Sequence, residues 1–209
     1  MLESAMLSIN YKRSPAIGKE DILYENRTTR IMKPAFKVIL DRESKSLIVF
    51  ICGTCSIKDT FTDALCTPVS FDHFICSQHE KHNIVSGYAH QGMVSAAGWI
   101  RKQCIIVLLE AHNRYPHFKI KIVGHSLSGG TAALLTYKPR EIQQFSSTTC
   151  VTFGPASCMT LDLAEFGKSF ITSIINGEAV KSCTEVYWMP KTIVGSWKMK
   201  NAKALHISK

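Results

Sequence analysis

Gly124-His125-Ser126-Leu127-Ser128-Gly129-Gly130 places a serine among small residues between two segments of different periodicity. A serine hydroxyl is a useful nucleophile only where it is exposed, beside a base and facing oxyanion donors. A sharp turn from a strand into a helix provides that exposure. Phe118 to Val123 has the pattern of a strand, and Thr131 to Tyr137 reads as helix, so the context is present. A phosphate-cradling loop is the competing reading of such a turn. It needs a lysine after its glycines, and Thr131 and Ala132 stand there. The strand pattern ends at Gly124, which selects Ser126 over the second register offered by Ser128. Ser128 occupies the last glycine of G-x-S-x-G. Its hydroxymethyl group is expected to crowd the approach of helix to strand, so Ser128→Gly is expected to raise activity or stability.

The elements that must position this serine follow from the pattern. A short helix is expected near Glu20 to Glu25. Phe36 to Leu40 and Ser46 to Ile51 are apolar and β-branched, separated by a polar turn, as in a strand hairpin. Ser56-Ile-Lys-Asp59 fits a capping box opening a helix through Leu65. Residues 67–89 read as irregular. Gly92 to about His112 reads as a long amphipathic helix; Thr148 to Phe153 and Phe170 to Ile175 read as strands, with a short helix closing at Gly167 between them. Strands alternating with helices indicate an α/β layered fold around a largely parallel sheet.

The chain has 209 residues, enough for one domain with a substantial core. No run of apolar residues approaches the ~20 of a membrane-spanning helix, and the first residues lack the pattern of a secretory signal. With eight cysteines in a chain of this length, reduced thiols in an intracellular compartment are expected, cytoplasmic or peripheral to a membrane. The net charge is +9, and from Lys181 onward six lysines face one glutamate. No aromatic-interleaved basic stripe accompanies the charge, so nucleic acid is not the expected partner. Anionic lipid is the weaker hint that remains. Cys52-Gly-Thr-Cys55 has no second pair to complete a zinc site. His73, Cys76, His79 and His82 recur every third residue, but ligand pairs from a second element are missing. They are read as polar lid residues, with neither metal nor cofactor expected.

Five segments in order resemble the class 3 (fungal-type) lipases, and within them the plant diacylglycerol-lipase-like proteins. They are Cys52 to Asp59, His90 to Met93, Ile122 to Leu127, Val151 to Pro155 and Ile174 to Gly177. The resemblance covers roughly residues 36 to 180 and implies an alpha/beta-hydrolase fold, a mostly parallel sheet flanked by helices. It implies Ser126 as nucleophile, with the backbone N–H groups of Leu127 and Thr54 as oxyanion hole. Asp63 matches an acid that buttresses the first oxyanion loop, and a solvated helix residue is the equal alternative. His125 is read as structural.

The departures are specific. Cys52 stands where the family has an arginine before Gly-Thr, which bears on the support of the oxyanion loop. The family's Asn-Gly-x-Asp reads Asn176-Gly177-Glu178-Ala179, leaving Ala179 at the acid position and Glu178 as the nearest carboxylate. The acid fixes the imidazole tautomer, and losing it costs about 10⁴ in turnover. His206 is the only histidine after Ser126 and is assigned as base, although it follows Glu178 more closely than the family spacing allows.

These readings divide the chain into an N-terminal extension, residues 1–34, and a lipase domain, residues 35–209, with a C-terminal end that is either native or shortened. The expected function is a serine ester hydrolase cleaving acylglycerols such as diacylglycerol or triacylglycerol. Ser126, His206 and Glu178 form its triad, and it contacts a membrane or lipid surface peripherally. The alternative is a catalytically impaired relative that binds lipid or a partner without turnover.

Overall fold

The computed structural model describes residues 18–52, 67–75 and 84–175. The strands are β1 (Ile22–Asn26), β2 (Phe36–Asp41), β3 (Ser46–Ile51), β4 (Pro68–Phe74), β5 (Ile84–His90), β6 (Lys119–His125), β7 (Thr149–Phe153) and β8 (Ile171–Ile174). The helices are α1 (Gln91–Arg114), α2 (Leu127–Arg140) and α3 (Leu161–Gly167). Six strands form one sheet in the order β1-β2-β3-β6-β7-β8. The β1–β2 and β2–β3 pairs are antiparallel. The β3–β6, β6–β7 and β7–β8 pairs are parallel. Each parallel pair needs a crossover, and α1, α2 and α3 provide them.

Register explains the core. Phe36, Val38 and Leu40 pair with Ile51, Val49 and Leu47, and the last two pair with Ile122 and Ile120. Because side chains alternate along a strand, all these residues share one face. They are buried together with Met93, Ala97, Ile100, Cys104 and Leu108 of α1 and Leu134 and Leu135 of α2. By length and composition α1 could cross a membrane. Its stripe of Met93, Ala97, Ile100, Cys104 and Leu108 packs instead into this core, as its i, i+3, i+4 spacing requires.

Two expectations give way to strand pairing. Glu20 to Glu25 is not a helix: a 3-10 turn at Lys19–Asp21 leads directly into β1, whose Tyr24 and Glu25 pair with Val38 and Lys37. Edge pairing onto β2 overrides the local preference of an acidic segment for helix. The described residues of 67–89 are not irregular either. Pro68 to Phe74 pairs antiparallel with Ile84 to His90, forming a separate two-stranded hairpin. Its period-2 pattern is disguised, because a histidine occupies an inward position and Phe74, Ile84 and Tyr88 face outward.

The hairpin lies along α2. Phe71 and His73 reach in beside Tyr137, with ring centroids 5.7 and 5.2 Å away, and Phe166 and Phe170 complete the cluster at 6.3 and 5.1 Å. Tyr137 is fully buried and donates its hydroxyl to the Leu163 carbonyl, tying α2 to α3. Further along, Lys138 donates to the Asp72 carbonyl (2.7 Å) and to Glu141 (2.8 Å). The outer end of the hairpin thus meets the C-terminal end of α2, while Ser126 precedes its N-terminus. At 1.5 Å per residue the two ends of α2 are about 20 Å apart. His73 is therefore a packed strand residue rather than part of a lid over Ser126. Cys76, His79 and His82 lie outside the described residues.

Burial alone would raise the Glu141 carboxyl, but His73 Nδ1 at 3.6 Å and Lys138 outweigh it and hold the carboxyl below its ordinary 4.5. A carboxylate with a lowered folded pKa stabilises the fold fully above its unfolded pKa. That contribution is lost as the pH falls through the folded value. Glu141→Gln is expected to lower stability at neutral pH, and the difference from the parent should shrink as the pH drops below about 4.5. Urea unfolding midpoints measured against pH check this.

Candidate active site

Ser126 sits between the last residue of β6 and the first of α2 with φ 54 and ψ −125, and it is exposed. For a residue with a Cβ this is a sparsely populated conformation costing roughly 1–3 kcal/mol, which persists only where the surroundings over-determine it. Here they do. The Ser126 N–H donates to the Phe153 carbonyl at 2.9 Å. Its carbonyl accepts from Gly129 (2.9 Å), Gly130 (3.2 Å) and Ala156 (3.1 Å). One side of this clamp is the first turn of α2, and the other is the end of β7 with the loop that follows. The backbone is held from both sides while the hydroxyl makes no capping bond to the helix.

The small residues of the turn now have separate reasons. A Cβ on Gly124 would come within 2.3 Å of the Ser128 carbonyl oxygen, a backbone atom that cannot step aside. At Gly130 it would meet Met93 Sδ at 2.7 Å and the Ala156 carbonyl at 3.0 Å. Strand, helix and α1 approach at distances only hydrogen permits.

Ser128 is accommodated rather than crowded, contrary to the sequence expectation. It is buried, and its hydroxyl donates to the Cys52 carbonyl at 3.0 Å. Cys52 also donates its N–H to the Ala35 carbonyl at 2.9 Å. The residue after β3 is therefore fastened on one side to Ala35, the residue before β2, and on the other to the helix that Ser126 begins. Cys52 itself is half-buried, and burial pushes its thiol above the ordinary 9.0, so it carries no thiolate at neutral pH. No sequence signal short of the G-x-S-x-S departure points to this tether.

His90 resolves differently. It caps α1, with Nδ1 accepting from the Met93 N–H at 3.3 Å, and its own N–H donates to the Cys158 carbonyl at 2.9 Å. Burial lowers its pKa from 6.5, keeping it neutral and able to accept. The motif His90-Gln-Gly-Met93 is thus a helix start. Val151 to Pro155 supplies the Phe153 carbonyl to the clamp and sets Pro155 against Gly129.

Of the residues assigned from sequence, Ser126 and Leu127 are adjacent at the helix N-terminus, with Leu127 as the first residue of α2. The first amides of a helix have no intrahelical acceptor, and the helix dipole favours negative charge there. Thr54, Asp63, Glu178 and His206 lie outside the described residues, as does the helix expected from Ser56 to Leu65. Among the described residues no group of side chains is arranged to hold a metal ion.

The chain matches the model of the class 3 lipases over residues 48–180. It is 30% identical over 166 residues to diacylglycerol lipase-alpha of Homo sapiens, an alignment spanning 76% of this chain and 15% of that protein. With diacylglycerol lipase-beta of Mus musculus it shares 28% over 168 residues, spanning 79% of this chain and 24% of the other. It therefore covers only a minor part of the length of these relatives. The structure of Rhizomucor miehei triacylglyceride lipase superposes with a TM-score of 0.59 at 20% identity, over 76% of this chain and 58% of that one. A fungal lipase–inhibitor complex gives 0.57 at 21% identity, over 75% and 58%. At such identities the likeness establishes the fold: alpha/beta-hydrolase, as the sequence motifs implied.

Removing the Ser128 tether is expected to destabilise the protein. Ser128→Ala and Ser128→Gly should each lose about 1 kcal/mol, the scale of one hydrogen bond, in chemical denaturation. Gly124→Ala forces a methyl against backbone and should cost ~3 kcal/mol or abolish folding.

Proposed function

The chain belongs to the class 3 lipase family, and from that premise we propose that it is a serine ester hydrolase acting on acylglycerols, with Ser126 as nucleophile. The observation that carries the reading is the backbone of Ser126. An exposed serine is held at positive φ between a parallel strand and a helix N-terminus, by four hydrogen bonds to its own main chain. A merely structural serine has no need of a conformation that costs free energy and turns its hydroxyl outward.

In this proposal Ser126 Oγ attacks the ester carbonyl carbon while His206 takes the hydroxyl proton. The negative charge that develops on the carbonyl oxygen is held by the Leu127 and Thr54 N–H groups, each such donor contributing ~3–4 kcal/mol in the transition state. Collapse expels the glycerol-side alcohol, protonated by His206, and leaves an acyl-Ser126 ester that water cleaves by the reverse proton path. Glu178 would hold the imidazole tautomer. The names diacylglycerol lipase and triacylglyceride lipase, borne by relatives and structural neighbours, support acylglycerols as the substrate class. The Ser128–Cys52 hydrogen bond anchors Cys52, two residues before Thr54, at the position where the family's arginine is absent.

A labelled fluorophosphonate separates this reading from that of an impaired lipid binder. Covalent labelling of the parent and none of Ser126→Ala, with loss of p-nitrophenyl ester hydrolysis in the variant, is the expected result. An unlabelled, inactive parent identifies the impaired protein. Glu178→Gln should lower kcat by orders of magnitude with KM little changed, since tautomer control acts in the transition state. If that variant is unaffected and Ala179→Asp switches activity on, the natural triad lacks its acid.

A further inference from the structure

The segment between β1 and β2 carries a feature that the elbow does not use. Arg30 and Lys33 exchange both backbone hydrogen bonds, at 3.0 and 2.9 Å, closing a two-residue tip of Ile31 and Met32. Met32 has φ 55, in the left-handed region where such a tip ordinarily takes glycine or asparagine. Ile31 is 63% exposed. A turn that wanted only to reverse the chain in water would carry polar residues here. This one accepts a strained methionine and presents an isoleucine to solvent.

Charge surrounds the tip. Arg30 and Lys33 flank it, both exposed, and neither forms an ion pair among the described residues. Nearer the sheet, Glu25 is shared between Arg27 (2.7 Å) and Lys37 (2.6 Å). From residue 25 to 37 four cations thus face one acid. The turn also stands at a defined end of the molecule. Cys52 bonds Ala35, Phe36 pairs with Ile51, and Ser128 bonds Cys52, so β2 begins where β3 and β6 deliver Cys52 and Ser126.

We propose that the β1–β2 turn is a docking element for an anionic lipid surface: Ile31 enters the headgroup–acyl boundary, Arg30 and Lys33 engage lipid phosphate and carboxylate groups, and the Ser126 end of the sheet is turned toward the membrane. The orientation towards substrate rests on the acylglycerol reading; the binding chemistry does not. A single apolar side chain between two cations matches the depth and charge of an interface. It is far too little area for a stable protein interface.

The test uses the full chain with Ser126→Ala, so that binding is read without turnover. Co-sedimentation is measured with phosphatidylcholine vesicles and with vesicles containing about 30 mol % phosphatidylserine, at ~0.1 M salt. The parent should bind the anionic vesicles on the order of 10-fold more tightly. The double variant Arg30→Gln/Lys33→Gln should lose most of that preference, and Ile31→Ser should weaken binding several-fold at an unchanged unfolding midpoint. In the Ser126-intact chain, both should hydrolyse a soluble short-chain ester like the parent and vesicle-embedded diacylglycerol more slowly. Equal binding of the parent to both vesicle types, or turn variants that bind like the parent, overturns the proposal. A parent inactive on the soluble ester sinks the hydrolase reading instead, and the vesicle measurement still decides the turn.

Discussion

Everything at the site depends on one residue being held in a conformation it would not choose. Ser126 can stay at positive φ because its amide and carbonyl are bonded simultaneously to the end of β7 and to the first turn of α2. That places demands outward through the fold. The parallel pairing of β6 with β7 must carry Phe153 to the level of His125, which it does. The loop after β7 must return so that Ala156 can donate, and Pro155 must lie close against Gly129, where a Cβ would come within 3.1 Å of it. Strain at the tip of the turn is thus balanced by contacts from three elements rather than stored locally.

The same logic accounts for the small residues. Gly124 and Gly130 are not flexible joints, since neither has a positive φ. They are places where backbone or a large sulfur atom occupies the space of a Cβ. Ser128 is the informative contrast. A side chain does fit there, and its hydroxyl finds the Cys52 carbonyl. A residue that disrupts the usual small-residue pattern of the elbow therefore links the elbow to the end of β3, in a chain whose Cys52 lacks an arginine's bonding capacity.

Away from the sheet, the hairpin β4–β5 and α3 are assembled around Tyr137, which gathers four aromatic neighbours and a buried hydroxyl–carbonyl bond. This cluster sits toward the end of α2 remote from Ser126. The molecule consequently has two unlike ends: a packed aromatic and ionic cluster at one, and at the other the elbow, Cys52 and the basic β1–β2 turn. Ser126 and the β1–β2 turn share the second end because β3 and β6 run parallel, delivering their C-terminal residues side by side, and β2 runs antiparallel to β3.

Legible in the chain's own pattern were the alternation of strand and helix, the limits of β2, β3, α1, β6 and β7 to within a few residues, and Ser126 as the residue at the turn. Those follow from local periodicity and from a motif whose residues are contiguous. Tertiary structure decided what contiguity cannot carry. Lys19 to Asn26 became a turn and an edge strand because β2 offered an unpaired edge. Pro68 to Phe74 and Ile84 to His90 paired because His73 could be buried among Tyr137, Phe166 and Glu141, a partnership spanning more than sixty residues of chain. Ser128 proved to be a tether because Cys52, seventy-six positions earlier, turns its carbonyl toward it. Each outcome depends on which distant group is present to meet a polar or strained one, and a linear pattern contains no term for that encounter.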